Sequence, residues 1–132
     1  MSERWIIDAM NVIGSRPDGW WNDRDEAMRA FALSVDDHAV STGRDITVVF
    51  DTDPGSLPEP VHIEIVIAHQ SRPDAADHEI ERLVGEAKHR TSLRIVTSDR
   101  ALGESVAAAG ADVVSAGQFR RELDRWADAK RS

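Results

Sequence analysis

Residues 46–51 read ITVVFD, five β-branched or aromatic side chains followed by an acid. Such a run is typical of a strand that is buried on both faces of a parallel sheet. Residues 5–7 (WII) and 93–96 (LRIV) are similar, and Asp8 and Asp99 follow them within three residues. The sequence therefore predicts buried parallel strands that end close to carboxylates.

Helical patterns alternate with these strands along the chain. Apolar spacing predicts helices over residues 24–42 (ended by Gly43), 74–90 (opened by Arg72-Pro73-Asp74), 100–109 (ended by Gly110) and 116–130. Alternating residues 61–67 predict a half-exposed edge strand, residues 113–114 a last short strand, and residues 53–60 a loop. We expect one α/β domain over residues 1–132, a mostly parallel central sheet covered by helices on both faces.

The amino-acid composition excludes several classes of protein. The 132 residues include no cysteine, which excludes disulfides and thiolate zinc sites. No apolar run approaches the roughly 20 residues that span a bilayer, and the start of the chain lacks the apolar core of a signal peptide. We therefore expect a cytoplasmic protein without a membrane partner. The net charge of −8 argues against non-specific nucleic-acid binding.

Four acids are expected at one edge of the sheet. Asp8, Asp51 and Asp99 follow strands, and Asp77 opens a helix with Glu81 one turn later. Each acid alone is equally consistent with a turn or a helix cap, and Glu81 with a solvated helix position. Together they would repel by about 4 kcal/mol per pair at ~4 Å, so a cation is expected between them. Carboxylate oxygens favour Mg²⁺ or Mn²⁺.

The chain resembles the YacP-like NYN domains, a branch of the PIN-like nucleases. The similar segments, in order, are residues 6–14 (IIDAMNVIG), 48–51 (VVFD), 76–84 (ADHEIERLV), 96–99 (VTSD) and a tail over residues 110–123. The resemblance implies a PIN-like three-layer sandwich and a metal-dependent ribonuclease. The family usually has a Gly or similar small residue and then an aromatic after the first Asp, where this chain has Ala9 and Met10, and a Thr before the Ala-Asp pair of the helix motif, where it has Ala75. None of these changes removes an acid.

The resemblance also implies roles for individual residues. Asp8, Asp77 and Asp99 would be ligands of Mg²⁺ or Mn²⁺, and Asp51 would complete the catalytic acids. Asn11 would orient Asp8 or contact phosphate, and Ser98 would help to fix Asp99. Cleavage within single-stranded RNA or mRNA would leave a 5′-phosphate and a 3′-hydroxyl.

Some residues and partners are predicted for RNA binding. Arg16 lies nearest the expected sheet edge and is predicted to contact phosphate. Trp20 and Trp21 follow it, and they either stack on bases or pack into the core. Because the chain is acidic, we expect the ribosome or another RNA-processing protein to supply specificity. A homodimer is compatible with the resemblance.

Two other functions remain open. The first is a catalytically silent RNA-binding or scaffold module of the same fold, although all four acids are present. The second is an aspartyl-phosphate phosphotransfer protein, because Asp51-Thr52-Asp53 follows a buried strand. Against it, Gly55 stands where that motif has Thr or Val, and no suitably placed lysine follows residues 113–114.

Overall fold

A computed structural model of the chain describes residues 3–55, 57, 59–68 and 74–131, without the side chain of Arg131. Its strands form one sheet in the order β3-β2-β1-β4-β5. The strands are β1 (Arg4–Asp8), β2 (Asp45–Phe50), β3 (Glu64–Ile67), β4 (Leu93–Val96) and β5 (Asp112–Val114). All four pairings are parallel, which confirms the predicted sheet.

Helices cover both faces of this sheet. They are α1 (Ala9–Ile13), α2 (Arg24–Thr42), α3 (Ala75–Glu86), α4 (Arg100–Ala108) and α5 (Ala116–Arg131). The apolar sides of α1, α2 and α5 pack with Ile7 and Phe50, whereas α3 and α4 pack on Ile6 and Ile95. The predicted three-layer α/β architecture is confirmed. In the part of the chain that the structure describes, no helix has the length and apolarity required to cross a membrane.

The longest helix, α2, has the bounds that the sequence predicts. Asp23 caps its start, because the Asp23 side chain accepts a hydrogen bond from the Glu26 amide at 3.1 Å. Gly43 ends it in the left-handed conformation at φ 74°, which glycine adopts without strain. Met28 and Val35 are fully buried on the side that faces the sheet.

The edge position predicted for β3 is confirmed, but its predicted start at residue 61 is wrong. The buried side chain of Asp36 on α2 accepts hydrogen bonds from the amides of Val61, His62 and Ile63 at 2.9, 2.8 and 3.0 Å. These amides are thus bound to α2 instead of to a neighbouring strand, and the strand begins at Glu64.

The predicted end of α3 at residue 90 is also wrong. The helix ends at Glu86, because Ala87 turns into an extended conformation and residues 90–92 form a short 3-10 turn. The predicted opening at Arg72 and Pro73 lies outside the described residues, as do Ser56 and Pro58 of the predicted loop.

One polar side chain is buried between α2 and α5. His38 is only 2% exposed, and its ring meets Phe119 and Trp126 edge-on. Its Nε2 lies 3.2 Å from Nη1 of Arg44, which can only donate, so Nε2 accepts and Nδ1 carries the proton. Nδ1 has no hydrogen-bond partner among the described residues. Burial lowers the pKa of His38, and the charge of Arg44 lowers it further.

Candidate active site

The parallel register determines which strand ends lie side by side. Asp8 is level with Val49 of β2, and Ile7 before it is level with Val96 of β4. Asp51 therefore lies two residues past Asp8 on one side, and Thr97 follows β4 on the other. The carboxyl ends of the central strands thus form one shared edge, the location at which parallel sheets bind ligands.

Asp8 is the most buried of the four predicted acids, with 5% of its surface exposed. Burial raises its pKa to about 6, against a hydrogen bond from Thr97 that lowers it. The negative charges of Asp77, Asp99 and Asp51 raise this pKa further. The other three acids therefore lie near enough to Asp8 to affect it electrostatically, and we call the four acids the carboxylate cluster.

A single hydroxyl connects two members of the cluster. Thr97 Oγ1 donates to Asp8 Oδ2 at 3.0 Å and accepts from the Asp99 amide at 3.1 Å. Asp99 in turn caps α4, because its Oδ1 accepts from the Leu102 amide at 2.9 Å. No role for Thr97 is predicted from the sequence. Its position as the first of three polar residues after β4 is the signal that could have identified it.

Asp77 stands at the start of α3 and faces the same group. Burial raises its pKa, and the charges of Asp99, Asp74 and Glu81 add to this effect. Glu81 is itself exposed, one turn further along the helix. The structure thus places Asp77 within the cluster and Glu81 at its margin.

Asp51 has a basic partner that the sequence analysis did not identify. Nη2 of Arg24, the first residue of α2, donates to both carboxylate oxygens of Asp51 at 2.6 and 2.8 Å. No described Lys or Arg forms such an ion pair with Asp8, Asp77 or Asp99. Asp51 is therefore the one acid of the cluster whose charge is balanced by an arginine of the described chain.

Asn11 and Ser98 fasten the loop that carries Asp99. Asn11 Oδ1 accepts from the Ser98 amide at 2.7 Å, and Ser98 Oγ accepts from the Ala116 amide at 2.9 Å. The loop after β4 is thereby tied to both α1 and α5. Both residues lie beside the cluster, and their predicted contacts with substrate stay predictions.

Arg16 is not brought together with the acids. Its guanidinium pairs with Asp124 on α5. It lines a cavity of about 480 Å³ between α1, α2 and α5, together with Trp20 and Phe31. The phosphate contact predicted for Arg16 stays a prediction.

The cluster has the donor chemistry that a hard cation needs. Its candidate ligands are all carboxylate oxygens, and burial first and neighbouring acids second raise the pKa values of Asp8 and Asp77, two effects that a bound dication would offset. Among the described residues, no three His, Asp or Glu side chains already stand close enough to enclose an ion.

The chain is similar in sequence to one known protein family and in fold to two solved structures. The family described as the YacP-like NYN domain matches residues 5–132. A crystal structure of Rae1 (YacP) from Bacillus subtilis is similar at a TM-score of 0.78 and 24% identity, covering 93% of this chain and 74% of that one. A mutant of the same protein gives a TM-score of 0.74 at 24% identity, with coverage of 93% and 76%. No curated protein matches the chain.

Proposed function

This chain belongs to the YacP-like NYN domain family, which is nuclease-like, and we propose that it is a metal-dependent endoribonuclease acting on single-stranded RNA. One observation carries the proposal. Asp8 is nearly buried, and burial together with three neighbouring acids raises its pKa to about 6. Keeping a carboxylate without a cationic partner there lowers stability, and binding of a catalytic cation would offset that loss.

In this proposal Asp8, Asp77 and Asp99 hold Mg²⁺ or Mn²⁺, as their oxygens suit either ion. When bound, such an ion lowers the pKa of water and neutralises charge on the scissile phosphate. Hydrogen bonds within the protein orient two of these acids. Thr97 fixes Asp8 relative to the Asp99 backbone, and the cap of α4 fixes the Asp99 carboxylate. Orientation in advance of binding reduces the entropy lost when substrate arrives.

Asp51 has a different task in the same site. Its carboxylate is held by Arg24, so it keeps a fixed place beside Asp8 while its charge is partly balanced. The proposed reaction breaks the bond from phosphorus to the 3′-oxygen by in-line attack of water. Its products are a 5′-phosphate and a 3′-hydroxyl.

The test is incubation of the purified protein with labelled single-stranded RNA, with Mn²⁺ or with EDTA. Asp99→Asn is the main variant, because an asparagine oxygen still accepts from the Leu102 amide and preserves the cap. Asp45→Asn, an exposed acid at the opposite end of the sheet, is the matched control. We expect cleavage only with metal, at least about 100-fold slower in Asp99→Asn and unchanged in Asp45→Asn. Equal cleavage in EDTA would contradict the proposal.

A silent RNA-binding or scaffold module of the same fold is the second candidate. The observation in its favour is that no three described acids already enclose a metal position. RNA binding without cleavage in Mn²⁺ would support it. An aspartyl-phosphate phosphotransfer protein is disfavoured, because both oxygens of Asp51 already accept from Arg24.

The substrate is expected to be delivered by a partner in the cytoplasm. A protein with a net charge of −8 repels RNA at long range, so a ribosome or an RNA-processing protein would hold the strand near the cluster. Co-sedimentation with ribosomes, in parallel with the Asp45→Asn control, tests this part of the proposal. Sedimentation at the rate of free protein would exclude the ribosome as that partner.

A further inference from the structure

Two adjacent tryptophans in the loop before α2 differ in exposure. Trp20 packs against the core, whereas Trp21 is 59% exposed. The two indoles meet edge to face, with ring centroids 6.0 Å apart and planes at 85°. The Trp20 amide donates to Asp18 at 3.2 Å, and Gly19 adopts φ 83° to form the bend. The loop is therefore built around Trp20 and leaves most of the Trp21 indole open to solvent.

This exposed indole lies close to the carboxylate cluster along the chain. Trp21 precedes Arg24 by three residues, a separation that spans at most about 11 Å between Cα atoms. Arg24 is bonded directly to Asp51 of the cluster. One short segment, residues 21–24, therefore carries both the exposed indole and the guanidinium that contacts the cluster.

Arg24 is oriented but not saturated. Both of its contacts with Asp51 come from Nη2, so the ion pair fixes the position of that nitrogen. Nε and Nη1 have no hydrogen-bond partner within the described ranges, and 43% of the side chain is exposed. These donors are available to an additional acceptor, for which the geometry of a phosphate oxygen is well suited.

We propose that Trp21 and Arg24 form a nucleotide-binding subsite beside the carboxylate cluster, with Trp21 stacked on an unpaired base and Arg24 bonded to a backbone phosphate. The inference rests on the proposed function in taking single-stranded RNA as the ligand. Stacking on an aromatic ring needs no particular base, and it does not depend on net charge. A single oriented arginine gives an acidic protein a local attraction for phosphate.

The test measures binding of a short, labelled, mixed-sequence single-stranded RNA by fluorescence anisotropy. EDTA is present so that metal-dependent cleavage does not occur. Trp21→Ala is expected to weaken binding about 5-fold to 100-fold, and Trp21→Phe to restore most of it. Arg24→Ala is expected to weaken binding and to reduce the slope of log K against log salt by about 0.7.

Arg94→Ala is the matched control for Arg24→Ala. Arg94 forms a two-bond ion pair with Glu3, both bonds 2.9 Å long, at the opposite end of the sheet. Each variant removes one positive charge and one two-bond ion pair, so a general charge effect would be equal in both. Leu33→Ala, which changes another exposed apolar residue, serves the same purpose for Trp21→Ala.

The subsite is overturned if Trp21→Ala binds like Leu33→Ala, if Arg24→Ala binds like Arg94→Ala, or if the unaltered protein does not bind the RNA. Cleavage is assayed separately with Mn²⁺. Trp21-dependent binding without cleavage would remove the proposed nuclease activity and keep the subsite. Cleavage together with RNA binding that does not depend on Trp21 would keep the proposed nuclease activity and remove the subsite.

Discussion

The Thr97 hydroxyl donates to the buried Asp8 carboxylate at 3.0 Å, across 89 residues of sequence. The same oxygen accepts from the Asp99 amide, so the spacing of two acids depends on one side chain.

Thr97→Val removes the hydroxyl and keeps the shape of the side chain. We expect a loss of about 1–3 kcal/mol in unfolding free energy, because a buried carboxylate loses its donor. Cleavage should also slow, because Asp8 and Asp99 lose their shared anchor. Urea denaturation and the RNA cleavage rate measure the two effects. Thr97→Ser keeps the hydroxyl and should resemble the unaltered protein, and equal behaviour of the Val and Ser variants would refute this role.

Asp8→Asn should stabilise the metal-free protein at pH 7.5 while abolishing cleavage. The folded pKa of Asp8 is about 6 against an ordinary 3.8, so the folded state resists ionisation more than the unfolded state does. The resulting destabilisation grows between pH 4 and pH 6 and is constant above, up to about 3 kcal/mol. The gain from Asp8→Asn should therefore be present at pH 7.5 and absent at pH 4.

Thermal unfolding at the two pH values measures this gain. Asp45→Asn, which neutralises an exposed acid on β2, is the control and should show no such difference. A stability loss in Asp8→Asn at pH 7.5 would mean that ionised Asp8 does not destabilise the folded state.

Mn²⁺ should raise the thermal stability of the unaltered protein. An ion that binds only the folded state adds about 2.7 kcal/mol at 100 times its dissociation constant. Asp77→Asn should lose most of this effect, whereas Asp112→Asn, an exposed acid at the start of β5, should keep it. Equal stabilisation of both variants would place the metal elsewhere.

Asp36→Ala should destabilise the fold by about 2–4 kcal/mol, because three amides lose their acceptor. Burial acts to raise the pKa of Asp36, but the three amide hydrogen bonds prevail and hold it below its ordinary value. Its contribution is therefore present above about pH 4 and is lost as pH falls through the folded pKa. Urea denaturation at pH 7 and pH 3 should show the difference shrinking.

Asp37→Ala provides the comparison for Asp36→Ala. The neighbouring Asp37 is exposed and pairs with Lys130 at 2.8 Å, a surface contact worth under about 1 kcal/mol. Similar losses in the two variants would show that the Asp36 hydrogen bonds do not hold β3 in place.

Local patterns were sufficient to predict most of the fold. Buried strands such as β2 are β-branched or aromatic from Ile46 to Phe50, and α2 has both an apolar side and clear end signals at Asp23 and Gly43. The start of β3 was not predictable in this way. It depends on Asp36, a residue of another element about 25 positions away, and alternation alone extends the strand to Val61. The five-residue α1 is too short to show a helical period.

The same division applies to the site. Parallel topology alone brings Asp8, Asp51 and Asp99 to one edge, so three of the four acids of the cluster follow from strand order, whereas Asp77 depends on how α3 packs. The partners of these acids come from distant positions. Arg24 reaches Asp51 across 27 residues and Thr97 reaches Asp8 across 89, and neither pairing has a sequence spacing that indicates it.

The buried His38 has a bearing on heat tolerance. Its protonated Nδ1 has no acceptor among the described residues, and an unsatisfied buried donor lowers stability by about 1–3 kcal/mol. The packing of α2 against α5 therefore contributes less to the free energy of unfolding than it would with an apolar side chain of similar volume at position 38. A relative adapted to a hotter environment would be expected to carry leucine or phenylalanine at this position.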